Sequence, residues 1–75
     1  ASLYFNAGKK EKISRGDIVG FLLNNSTLTT DEIGSISLYD HYAIAAIPAP
    51  KAQAVLNQIE RLKIKNKRLK ITLVE

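Results

Sequence analysis

Apolar and polar positions follow one another along this chain with periods that switch between two residues and about three and a half. Leu3-Tyr4-Phe5 alternates as a first strand, with Leu3 and Phe5 on one face and Tyr4 and Asn6 on the other. Gly8 and the lysines after it predict a loop. Ile18, Phe21 and Leu22 then recur at helical spacing, with Val19 and Leu23 widening the stripe. Ser14, with Asp17 three residues on, marks the start of that helix as a capping box, and Asn24-Asn25-Ser26 ends it. Thr29 and Glu32 form a second capping box, predicting one helical turn that Gly34 stops. Ile36 and Leu38 alternate with Ser35, Ser37 and Tyr39 in a half-buried strand. Asp40-His41 predicts a tight connection to a third strand, Tyr42 to Ile47, whose run of alanines leaves its buried face open. Pro48 closes that strand, Pro50 suits the first position of a helix, and Ala52, Val55, Leu56 and Ile59 supply the second helical stripe. Asn66 lies between lysines where a turn needs tolerance of positive φ. Leu69, Ile71 and Leu73 alternate with Arg68, Lys70 and Thr72 as a last strand.

The order is β-α-β-β-α-β, a ferredoxin-like split βαβ unit of the α+β class. It has a four-stranded antiparallel sheet with two helices on one face. In that topology the first and last strands are antiparallel neighbours. The loop after the first strand, the loop before the last, and the Tyr39–Tyr42 turn are all expected at one end of the sheet. The other face is left open, showing Tyr4, Asn6, Ser35, Ser37, Tyr39, Tyr42, Ile44, Lys70 and Thr72.

Charge gives that end of the sheet its interest. Ten of the eleven basic residues fall in two blocks: Lys9, Lys10, Lys12 and Arg15, then Arg61, Lys63, Lys65, Lys67, Arg68 and Lys70. Residues 16–60 carry only Lys51 against five acids, and the whole chain is +4. Converging blocks make a surface for a polyanion. Aromatics among polar and basic groups suit single-stranded RNA, whose unpaired bases stack on rings while lysines meet phosphates. An open sheet with tyrosines and Ile44 also suits a protein partner, which is the alternative reading.

The remaining composition narrows the class. With 75 residues, 45% hydrophobic and 24% charged, the chain reads as one small globular domain spanning 1–75. There is no apolar run of the length a bilayer needs, no signal-peptide pattern and no cysteine, so a cytoplasmic setting and no membrane partner are expected. Opening directly in a strand, the chain reads as a domain excised from something longer. No metal site is expected around the single His41, and Asp31-Glu32 reads as capping rather than catalysis. Gly8 reads as turn geometry, because no phosphate-loop pattern follows it. Without a histidine–carboxylate or comparable constellation, an enzyme is not expected.

L-Y-F-N-A-G-K-K-E-K-I-S-R-G-D-I-V-G resembles the opening of the C-terminal RNA-binding domain of DbpA-type DEAD-box RNA helicases. The likeness continues through T-T-D-E-I-G-S-I-S-L, D-H-Y-A-I-A-A-I-P and I-K-N-K-R-L-K-I, nearly the whole chain. It implies an RNA-recognition-motif variant at the C-terminus of a longer helicase. Such a domain docks the helicase on structured RNA, in the best-known members a hairpin of large-subunit ribosomal RNA, and so serves ribosome assembly. It implies a helicase core in cis, and no cofactor for the domain itself, since ATP and Mg belong to that core. By position, Gly8, Lys9, Lys10 and Lys12 match the family's basic loop, and Arg15 lies near its next basic position. Lys65, Lys67 and Arg68 match the basic turn before the last strand, where Lys70 follows. Tyr4 and Tyr42 fall where ordinary RNA-recognition motifs place stacking aromatics. Ile44 stands where a second aromatic is common, and Asn66 replaces a frequent glycine, which shifts weight from the sheet face to the basic loops. The lysines of the first loop are the leading phosphate contacts, with Arg68 best suited to bidentate contact. Arg61 and Lys63 read as decoration of a helix end.

Overall fold

The computed structural model describes residues 1–74. β1 (Ser2–Phe5) turns Leu3 and Phe5 inward, and both are fully buried. α1 (Arg15–Asn25) begins at Ser14, whose Oγ accepts from the Asp17 amide while the Asp17 carboxylate accepts from the Ser14 amide. This is the reciprocal cap expected from the spacing, and it fixes where the chain leaves the basic loop. The Thr29 box is satisfied in half: the Glu32 carboxylate accepts from the Thr29 amide at 3.0 Å, around a single 3₁₀ turn, Thr30–Glu32.

β2 (Ile36–Leu38) and β3 (Ala43–Ala46) pair antiparallel, reversing through Asp40 and His41. The alanine run resolves here, with Ala43 and Ala45 fully buried and Ile44 on the open side. Small side chains at those inward positions let the helices lie close to the middle of the sheet. α2 (Ala49–Ile59) buries Ala52, Val55 and Ile59. Its N-cap is Pro48, so Pro50 stands at the second helical position rather than the first.

The segment after α2 departs from the expected pattern. In place of a helix end running into a long last strand, a hairpin intervenes: β4 (Lys63–Ile64) and β5 (Lys67–Arg68). Its two loop residues, Lys65 and Asn66, have φ of 51° and 64°. Positive φ at both loop positions is the mark of the two-residue hairpin turn whose twist matches its strands. Lys63 therefore belongs to a strand and not to a helix end. Arg68 lies in the hairpin, and the last strand, β6 (Ile71–Val74), starts beyond Lys70.

The main sheet runs β2-β3-β1-β6 with every pair antiparallel. α1 and α2 cover one face, and Ile18, Phe21, Leu22, Val55, Ile59 and the inward strand residues form one core. This is the expected α+β, ferredoxin-like arrangement. Phe5 pairs with Ile71, so the first strand ends beside the point where the last begins. No helix among the described residues is long and apolar enough to cross a membrane.

Candidate nucleic-acid interface

Three chain segments meet at the end of β1, and backbone hydrogen bonds hold them there. A 3₁₀ turn, Lys9–Glu11, follows Gly8, and its Lys9 and Lys10 amides donate to the Tyr39 and Asp40 carbonyls, each at 2.8 Å. The basic loop is thereby stitched to the β2–β3 turn. Gly8 permits the approach: a Cβ there would lie 2.0 Å from the Tyr39 carbonyl oxygen and within 3 Å of Tyr42 backbone atoms. The glycine answers to close packing of two backbones, since its φ is −147°.

The hydrogen bonds also say how this loop can bind an anion. The Gly8 amide donates to Glu11 Oε1, and the amides of Lys9 to Ile13 all donate to carbonyls. With every N–H from 8 to 13 engaged, the loop offers no backbone cradle. Only the exposed side chains of Lys9, Lys10 and Lys12 are available.

Glu11 anchors this corner. Its carboxylate accepts from Gly8 at 2.8 Å and lies 3.0 Å from His41 Nδ1. The Gly8 amide first, and His41 second, hold its carboxyl below the usual glutamate range. His41 thus ties the turn to the loop. Asp17 is also held low, by the Ser14 amide and hydroxyl and more weakly by Lys65.

The second basic block arrives from the hairpin and divides in two. Lys65 donates to the Lys12 carbonyl at 2.9 Å and lies 3.4 Å from Asp17 Oδ2, and Lys67 donates to the Glu11 carbonyl at 2.5 Å. These two lysines clip the hairpin onto the first loop, so their ammonium groups are partly committed within the fold. Arg61, Arg68 and Lys70 make no ion pair among the described residues. Together with Asn6, Glu60 and Leu69 they line an open hollow. Arg61, expected to decorate a helix end, shares this hollow with Lys70, a neighbour its local sequence does not disclose. The two blocks do converge.

On the open face Tyr42 stands between Tyr39 and Tyr4 in strand order, and it stacks on both. The ring centroids are 4.5 and 5.5 Å away and the planes 16° and 22° apart. Tyr4 and Tyr42, which fall where stacking aromatics are expected, form a row with Tyr39. Tyr39 ends that row and is 44% exposed, which makes it the ring best placed to take a base. The period-2 pattern did put it on this face, but only the turn shows it stacked.

Residues 2–73 match the family model described as the DbpA RNA-binding domain. The chain belongs to that family. It is 36% identical over 69 residues to the ATP-dependent RNA helicase DbpA of Bacillus subtilis (strain 168), covering 92% of this chain and 14% of the helicase. It is 31% identical over 68 residues to the ATP-dependent RNA helicase DeaD of Buchnera aphidicola, covering 91% of the chain and 11% of that protein. The DbpA of Escherichia coli (strain K12) is 29% identical over 75 residues, covering all of this chain and 16% of the helicase. The family is an RNA-binding one, and the chain spans about a seventh of the first relative's length.

Proposed function

We propose that this chain is the RNA-targeting accessory domain of a DEAD-box ATP-dependent RNA helicase. It delivers the helicase core, attached in cis on its N-terminal side, to structured RNA. The RNA we assign is a hairpin of large-subunit ribosomal RNA, and the setting is ribosome assembly in the cytoplasm. ATP and Mg serve the helicase core, and this domain needs neither.

One observation carries this reading beyond the family match. Two basic blocks about fifty residues apart are hydrogen-bonded to each other at the end of β1, beside a row of stacked tyrosines. Lys9, Lys10, Lys12 and Arg15 supply phosphate contacts on one side, and Arg68 and Lys70 on the other. Lys65 and Lys67 add positive potential while holding the two sides together. Phosphate contacts position the RNA, and the tyrosine row takes unpaired bases.

The test is a salt titration of binding to a ribosomal RNA hairpin, comparing the wild type with a Lys9→Ala, Lys10→Ala, Lys12→Asn variant. Asn is chosen at 12 because that residue has φ of 64°. Three lost phosphate contacts should flatten the log–log salt slope by roughly 2–3 and weaken binding to all RNAs alike. An unchanged slope with an intact fold would remove these lysines from the interface. A protein partner retained after RNase treatment would instead favour a protein-docking role for the open sheet.

A further inference from the structure

The hollow between the end of α2, β5 and the start of β6 holds more than positive charge. Its walls are Arg61, Arg68, Lys70, Asn6 and Glu60, and its floor includes the buried Leu69. The wall residues come from four places in the chain. Glu60 and Arg61 follow the last turn of α2, Arg68 ends the hairpin, and Lys70 precedes β6. Asn6 follows β1 and is held to the Lys70 carbonyl through its amide at 3.1 Å.

Two further observations point to a ligand. Lys63 lies directly opposite Arg68 in the hairpin, and like charges at facing positions disfavour each other. No acid among the described residues pairs with either, whereas Lys51 and Lys65 each have a carboxylate partner. The hollow also contains one carboxylate beside its three cations. A site for bare phosphate would gain nothing from Glu60, which repels it. A nucleotide presents an anion and, on three of the four bases, an exocyclic amine that a carboxylate accepts from.

We infer that this hollow seats one unpaired nucleotide of the RNA. Arg61, Arg68 and Lys70 take its phosphate, and Glu60 and Asn6 meet the amino-bearing edge of its base. The inference rests on the RNA-binding reading above and adds a sequence preference to it: cytosine, whose N4 amine donates, over uracil, whose O4 can only accept. The row Tyr39–Tyr42 runs toward Asn6 across β3 and β1, so a strand crossing the open face would pass from rings to cations.

The experiment uses labelled oligo(rC) and oligo(rU) of about 12 nucleotides, within the span single-strand-binding modules cover. Wild type should prefer oligo(rC) several-fold. Glu60→Gln should erase that preference, chiefly by tightening oligo(rU), because an amide donates as readily as it accepts. Arg68→Ala with Lys70→Ala should weaken both ligands roughly tenfold or more, as lost charge-assisted hydrogen bonds imply. It should also lower the salt slope by about 0.7, one single-strand phosphate, while leaving the melting temperature unchanged or higher. No wild-type preference, or a preference that survives Glu60→Gln, overturns the base contact. An unchanged slope in the double variant overturns the phosphate seat, while continued binding through the Lys9–Lys12 side leaves the domain's RNA-binding role standing. A wild type that binds neither oligomer nor hairpin overturns both.

Discussion

Gly8 shows how much one missing side chain decides. Its neighbours are backbone atoms of the β2–β3 turn, which have no rotamer to move aside. Gly8→Ala should therefore cost about 2 kcal/mol or more, the scale of overpacking in a closed site. Urea unfolding measures it directly, and an unaltered midpoint would mean the loop stands clear of the turn. Glu11 works at the same scale through charge. Its carboxyl is held below its ordinary value, so the stabilisation is complete above that value and fades as pH falls through the lower, folded one. Asp17 and Glu32 are lowered too, the latter mainly by Lys51. Stability should then hold down to about pH 5 and drop on acidification below about pH 4. Glu11→Gln should flatten part of that drop, and an acid profile identical to wild type would discount the Gly8–His41 anchor.

At the scale of elements, the β4–β5 hairpin is the piece the residue pattern did not disclose. Four paired residues are too few for a period, and the lysines that dominate it read as a basic turn before the last strand rather than as strands of their own. Asn66 was legible as a position needing positive φ, yet Lys65 shares that conformation at 51° with no sequence sign of it. The hairpin stays in place through Lys65 and Lys67, whose ammonium groups reach the carbonyls of the first loop. Lys67→Met should speed amide exchange across residues 63–68 and 9–12 together, because each segment loses the same clip. Exchange confined to the hairpin would show that the loop does not depend on it. By contrast the two helices were readable in advance. Their stripes and the Ser14–Asp17 box depend on residues three or four apart, whose neighbourhood the helix itself guarantees.

For the molecule as a whole, the consequence of the fold is an uneven field. The net charge of +4 is modest, but the basic residues gather at one end of the sheet. RNA association should therefore be fast and steeply salt-dependent, and mutation of Lys51, which Glu32 already neutralises, should leave the salt slope unchanged. A slope that responds to Lys51 as it does to Lys9 would mean that total charge, and not its placement, governs binding.

The sequence by itself determined the two helices, the Ser14–Asp17 cap, the alternation of the first two strands and, through strand order, the meeting of the two basic blocks. These follow from short-range periods and from a topology with few alternatives. Only the tertiary structure decided which cations remain open to a ligand. Lys65 and Lys67 are engaged by carbonyls more than fifty residues away, while Arg61 joins Arg68 and Lys70 around one hollow. A lysine's local sequence is the same whether its ammonium meets water, a phosphate or a distant carbonyl. Strand pairing sets which of these lies within its reach.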